Sequence, residues 1–249
     1  MIRMRLNLDM QRQPNDYTCG PTSLQAVYKY YNDHISLEEV IATVPYLEAG
    51  GTLAVNLGFH ALNRGYEAMI YTYNISVFDP TWFEGKYTRK MLIEKLTEQM
   101  LFKKGTRVAA ASEAYIEFLK AGGKIRFKDL TPKLIRTFLK RSIPILTGLS
   151  ATYLYREKRE LVRGLDDYVE DDVRGEPSGH FVVLCGYDRE ERNVLIADPL
   201  HPEQFSATHL YTRSMDRVIN AMLLGILTYD ANFLIIKPEN FQEGNTENI

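Results

Sequence analysis

Four residues have the types and spacings needed for acyl-group chemistry: Gln13, Cys19, His180 and Asp198. Cys19 follows a polar loop interrupted by Pro14 and opens a stretch with helical spacing, with Gly20 and Pro21 behind it. A thiol at a helix N-terminus meets the positive end of the helix dipole and unpaired N–H groups, which favour the thiolate, the form that attacks carbonyl carbon. A cysteine in this position reads equally as a small buried residue packing a helix start. The argument for chemistry therefore rests on what accompanies it.

His180 begins an apolar run, 181–187, which is followed by a polar turn, 188–193, and a second apolar run, 194–197. A symmetric hairpin centred on residue 189 sets Asp198 opposite His180, within side-chain reach. A carboxylate there holds an imidazole in one tautomer and stabilises its charged form. Taken singly, His180 also reads as a strand end and Asp198 as a cap before Pro199. Gln13 lies on the loop that delivers Cys19, and Pro14 biases it toward an extended backbone. Its amide and the Cys19 N–H would together stabilise a tetrahedral oxyanion, although alone it reads as a surface glutamine.

Other chemistry-bearing residues fit blander roles. Cys185, five positions after His180, falls on the opposite side of a regular strand and reads as a core cysteine. His34, His60, His201 and His209 show no metal-ligand spacing, so neither a metal nor an organic cofactor is expected. Among them, His201 is the one placed to contact the site. The acidic group Asp166, Asp167, Glu170, Asp171 and Asp172 lacks the central glycine of a calcium-binding hand and reads as solvated loop. Trp82 and its neighbouring rings read as packing for an insertion rather than as a nucleic-acid stacking platform.

The elements that must position these residues follow from periodicity and caps. Residues 3–8 alternate and suit a short edge strand. Leu24, Val27, Tyr28 and Tyr31 define one apolar face of a helix after Cys19, ended by Asn32-Asp33-His34. Ser36 with Glu39 forms a capping box for a short helix stopped by Pro45. Gly50-Gly51-Thr52 opens another helix, which runs to Asn63, and Gly65 turns the chain into a strand over 66–73. Residues 79–106 read as an insertion whose amphipathic helix carries Leu92, Leu96 and Met100. A helix over 107–120, one capped by Thr131-Pro132 and a strand over 143–149 follow. Residues 156–178 are dense in charge and read as a long mobile loop, and as a possible lid because they lead into His180. The hairpin, a helix near 215–224 and a strand over 232–236 close a single domain, 1–237. Residues 238–249 read as a disordered tail. Helices first and most strands later argue for α+β.

Composition narrows the class further. The 249 residues carry 30 basic and 32 acidic side chains, so the basic excess that non-specific nucleic-acid binding requires is absent. The longest apolar-rich stretch, 219–227, is shorter than the roughly 20 residues of a membrane-spanning helix. Two cysteines do not make a disulfide framework, and residues 1–12 do not resemble a secretory signal. The expected location is cytoplasmic.

The stretch Gln13-Pro-Asn-Asp-Tyr-Thr-Cys19-Gly-Pro-Thr-Ser-Leu resembles the bacteriocin-processing peptidases, papain-like enzymes that cut leader peptides after a double glycine. Gly179-His-Phe-Val-Val-Leu-Cys-Gly-Tyr-Asp and Ala197-Asp198-Pro199 carry the same resemblance, as does the Gly51-Thr52 helix with its Gly65 turn. It covers the chain apart from 79–106, 156–178 and the tail. The resemblance implies a papain-like α+β fold, with the nucleophile helix packed on an antiparallel sheet. It implies a Cys19, His180, Asp198 triad with Gln13 as oxyanion donor, and a peptide or protein substrate. Members are often fused to a membrane exporter with a nucleotide-binding domain. No membrane span and no G-x-x-x-x-G-K-[ST] loop occurs here, which suits a stand-alone member. Thr18 stands where an aspartate is common, and double-glycine specificity does not carry over. The expected function is a cysteine peptidase or amidase acting through a thioester. Alternatives are an acyltransferase or transpeptidase using the same thioester, and a non-catalytic peptide-binding module.

Overall fold

The structure, a computed structural model, describes residues 4–47, 51–162, 168–200, 208–228 and 231–242. The first half of the chain is largely helical. It holds β1 (Met4–Arg5), α1 (Cys19–Tyr30), α2 (Leu37–Thr43), α3 (Ala54–Asn63), β2 (Tyr66–Thr72), α4 (Arg89–Phe102) and α5 (Arg107–Lys120). Next come β3 (Lys124–Arg126), α6 (Pro132–Lys140), β4 (Ile145–Ser150), α7 (Ala151–Tyr155), β5 (Glu160–Val162) and β6 (Tyr168–Glu170). The chain closes with β7 (Gly179–Asp188), β8 (Asn193–Ala197), β9 (Leu210–Ser214), α8 (Met215–Leu224) and β10 (Asn232–Pro238).

Eight strands form one sheet in the order β3-β2-β10-β4-β7-β8-β9, with β1 added along β7. Only β2 with β3 is parallel; the other pairings are antiparallel. Helices cover both faces. A Cβ on Gly58 of α3 would touch Leu234 on one face. Phe138 of α6 meets Phe233 and Tyr71 on the other, at 5.5 and 5.7 Å between ring centres. That cover explains why β4 is buried along its whole length and β7 at every residue but Gly179. The arrangement is the α+β one expected, helices packed on a central antiparallel sheet.

Local chemistry accounts for most helix starts. Ser36, Thr88, Thr106 and Thr131 each accept a hydrogen bond from a first-turn backbone N–H. Leu92 and Leu96 bury one stripe of α4, as their spacing predicts. Around them Phe78 packs edge-on to Trp82 and Tyr115, and Phe83 stacks on Phe127, so these rings hold the insertion to the domain.

Several expectations need correction. Helix α1 does not bury a single face: residues 19–28 are all buried, and its polar side chains find internal partners. Ser23 donates to the Phe181 carbonyl and Gln25 to the Ile35 carbonyl. Residues 156–178 are not simply loop, because β5 pairs antiparallel with β6. The high charge density disguised this pairing. The charges are met locally, Arg174 on Asp171 at 2.6 Å and Arg159 on the Asp172 carbonyl at 2.5 Å, so no apolar alternation was needed. The tip, 163–167, lies outside the described residues. Pro238, assigned to the disordered tail, pairs with Tyr66 in β10, and Phe241 packs on Tyr31 at 5.0 Å. Residues 243–249 of that tail lie outside the described residues. The sequence reading missed β3, α7 and β9; the first two are too short to show a period.

Candidate active site

The turn before α1 sets up its first residue. Thr18 Oγ1 donates to the Asn15 carbonyl at 2.9 Å and accepts from the Asn15 N–H, and the Tyr17 N–H donates to Asn15 Oδ1. Because Thr18 is occupied in this way, its side chain does not cap α1, and no acidic residue stands in the first turn. The helix therefore presents first-turn N–H groups beside the Cys19 thiol without a side-chain cap. Gly20 allows close packing at this point: a Cβ there would lie 2.6 Å from Thr52 Cγ2, 3.3 Å from Phe181 and 3.4 Å from Leu57.

The sheet supplies the partners. His180 sits on β7, buried at 7% exposure, and Asp198 follows the last residue of β8 at 2%. The expected symmetric hairpin is not the observed one. Val183 pairs with Ala197, and Cys185 forms a bulge between the Leu184–Ile196 and Gly186–Leu195 pairs. The register therefore differs from the direct His180–Asp198 opposition expected, and Asp198 is diagonal to His180. A diagonal neighbour is still within reach, and His180 Nε2 lies 2.8 Å from Asp198 Oδ1. With Nε2 engaged, Nδ1 is the nitrogen left for Cys19, whose helix packs on β7 through Gly20 against Phe181 and through the Ser23 hydroxyl on the Phe181 carbonyl. Cys185 is fully buried, and burial pushes its thiol up to about 12.

Gln13 joins the same corner through its backbone, whose N–H donates to the Pro199 carbonyl at 2.8 Å. Its side chain is buried, and Oε1 has no hydrogen-bond partner among the described residues. Tyr46, also in the helical half, feels the Cys19 charge.

Four contributors to this corner escaped the sequence reading. Asp198 Oδ2 accepts from the hydroxyls of Tyr155, at the end of α7, and Tyr211, on β9, each at 2.6 Å. The Leu200 N–H donates to Oδ1 at 2.9 Å. His209 Nδ1 bonds the Asp198 carbonyl at 2.8 Å, and the Asp198 N–H returns a bond to the His209 carbonyl. His209 thus contacts this corner, while His201 lies outside the described residues. His60 is engaged elsewhere, by Tyr28 and Thr43. The hydroxyl of Tyr211 would have been a fair suspect had β9 been recognised; nothing in the sequence singles out Tyr155.

Burial alone would make His180 less basic and Asp198 less acidic. For His180 the Asp198 charge, their hydrogen bond and the Cys19 thiol outweigh burial and raise its pKa. For Asp198 the His180 charge and the donors around it outweigh burial and lower its pKa. Glu157 and Glu160, at the root of the β5–β6 hairpin, are both raised, first by burial and then by neighbouring carboxylates. The hairpin also reaches the loop before Cys19, where the hydroxyls of Tyr17 and Tyr168 meet.

A cysteine at a helix start and a buried histidine–carboxylate pair thus share one corner of the fold. Residues 5–218 match the Peptidase_C39 like family, and the chain belongs to that family. Three solved structures resemble it. One is a double glycine motif protease from an AMS/PCAT transporter in complex with the leader peptide, with 19% identity, 95% of each chain covered and a TM-score of 0.43. Another is the peptidase domain of Streptococcus ComA, a bi-functional ABC transporter involved in a quorum sensing pathway, with 14% identity, 94% and 100% covered, and 0.42. The third is a putative C39-like peptidase from Bacillus anthracis, with 15% identity, 94% and 97% covered, and 0.46. No curated protein matches the sequence. Among the described residues, no helix is long and apolar enough to cross a membrane.

Proposed function

We propose that the chain is a cysteine peptidase or amidase that opens a peptide or amide bond of a peptide or protein substrate through a thioester at Cys19. The observation that carries this reading is the buried His180–Asp198 pair at 2.8 Å on the sheet, against which the helix beginning at Cys19 packs.

In this reading the Cys19 thiolate attacks the carbonyl carbon, and the electron pair moves onto the carbonyl oxygen. The Cys19 N–H and the Gln13 side-chain amide donate to that oxygen as its charge develops. The uncapped start of α1 keeps such N–H groups available there. Leaving a buried amide oxygen unsatisfied, as at Gln13, costs about 1–3 kcal/mol. Such a cost is tolerated where the amide serves a reaction rather than the fold. The imidazolium of His180 protonates the leaving amine as the C–N bond breaks, which leaves the acyl group on sulfur. Neutral His180 then takes a proton from water, whose oxygen attacks the thioester carbon, and the thiolate leaves as the acid is released. Asp198 keeps the imidazole oriented and supports its positive charge throughout.

Mass spectrometry of a mixed peptide pool incubated with the protein, with and without added glycinamide, tests the proposal. New carboxyl termini that vanish in Cys19→Ala support hydrolysis. Glycinamide adducts replacing them support acyl transfer by the same thioester. Cleavage that persists in Cys19→Ala would overturn the assignment.

A further inference from the structure

Asp198 is more heavily held than a carboxylate that only has to face an imidazole. Oδ1 receives His180 Nε2 at 2.8 Å and the Leu200 N–H at 2.9 Å, and Oδ2 receives the Tyr155 and Tyr211 hydroxyls at 2.6 Å each. The two tyrosines come from separate parts of the fold, α7 beyond β4 and strand β9 beside β8. Phenylalanine would fill the same volume, so the hydroxyls are present for their polarity. Bonds of this kind to an ionised oxygen are about twice as strong as neutral ones. They also act on direction. A carboxylate gripped at one oxygen alone can turn about its Cβ–Cγ bond, whereas one gripped at both oxygens keeps its plane.

We propose that Tyr155 and Tyr211 are positioning residues that keep Asp198 ionised and fix its Oδ1 on His180, readying the imidazole for Cys19. The inference rests on the cysteine-hydrolase reading of Cys19 and His180. The two hydroxyls converge on the same oxygen, Oδ2, which makes the clamp one unit rather than two separate supports. The charged and titratable groups facing the clamp come from every side of it. Cys19 of α1 and His180 of β7 lie ahead of the carboxylate, and His209 holds its backbone carbonyl. Glu157 and Glu160 approach from the hairpin root, with Glu170 and Asp16 near them. Arg213 lies over the Tyr211 ring at 4.6 Å. Glu157 and Asp198 each oppose the other's ionisation, so the donors to Asp198 must outweigh that neighbour.

The test is the pH titration of the Asp198 side-chain carboxyl by carbon NMR, alongside the pH profile of Cys19 alkylation by iodoacetamide. Both are measured in wild type, Tyr155→Phe, Tyr211→Phe and the double variant, and again with Asp198→Asn. Each lost hydroxyl should raise the Asp198 midpoint by roughly one pH unit, from the strength of a charge-assisted hydrogen bond. The acid limb of Cys19 alkylation should move up with it. In the Asp198→Asn background the tyrosine changes should alter the profile no further. The single variants carry the same readout should the double variant not fold. An unchanged Asp198 midpoint in a folded variant, or equal losses with and without the carboxylate, would overturn the clamp. Alkylation indifferent to His180→Ala would instead overturn the hydrolase reading, and with it the role assigned to the clamp. The Asp198 titration reports on the clamp separately from that result.

Discussion

The hydroxyl of Ser23 donates to the carbonyl of Phe181 at 3.2 Å, in the interior, across 158 residues of sequence. This bond joins the helix that begins at Cys19 to the strand that carries His180, one residue from the histidine. Ser23→Ala leaves the Phe181 oxygen without this partner in a site where Ser23 itself is fully buried. The expected loss is about 1–3 kcal/mol, read by urea denaturation, together with slower alkylation of Cys19.

Gly20 sets the same spacing from the other direction. A methyl group on it meets Thr52 Cγ2 at 2.6 Å, closer than packed carbons come. Gly20→Ala should therefore cost about 1–3 kcal/mol by overpacking, despite alanine's better helix propensity. Thr52→Ser removes the opposing methyl and keeps the hydroxyl that donates to the Pro45 carbonyl at 2.7 Å. The pair Gly20→Ala with Thr52→Ser should recover most of the loss in a thermal melt.

The root of the β5–β6 hairpin carries an opposite strain. Glu157 and Glu160 are both raised by burial and by neighbouring carboxylates. An acid raised on folding disfavours the folded state once pH exceeds its unfolded value of about 4.3. Glu157→Gln and Glu160→Gln should each raise the melting temperature near neutral pH, and the gain should disappear below about pH 4.

The His180–Asp198 pair gives stability a defined pH window. Asp198 is lowered on folding, so its contribution is present above the unfolded value of about 4 and is lost as pH falls through its folded value. His180 is raised, so its contribution is complete below about 6.5 and is lost as pH rises through its folded value. The stability gap between wild type and Asp198→Asn should be widest between about pH 4 and 6.5. Breaking a buried pair costs roughly 3–5 kcal/mol, measurable by denaturant melts across that range.

Much of this architecture was legible because it rests on local signals. The caps at Ser36 and Thr131, the Leu92 and Leu96 stripe and the loop-to-helix switch at Cys19 are all written in adjacent residues. The separation of Cys19 from His180 and Asp198 was bridged by residue type and family resemblance. What stayed hidden depends on tertiary context. The Cys185 bulge moves the hairpin register, and Gly186 beside it is a local sign that the symmetric hairpin passed over. The β5–β6 pair is held by backbone and charge, with no alternation to read. Tyr155 lies 43 residues from the carboxylate it holds, on a single helical turn. His209 contacts the Asp198 backbone because its main chain folds back on Asp198.

The central claim is that His180 activates Cys19, and limiting iodoacetamide near neutral pH followed by intact mass tests it most directly. Wild type should take one label rapidly at Cys19, and His180→Ala should take it about a hundredfold more slowly, the lower end of what a positioned base contributes. Cys185→Ser should label like wild type, since that thiol is fully buried. Labelling equally fast in wild type and His180→Ala would contradict the account.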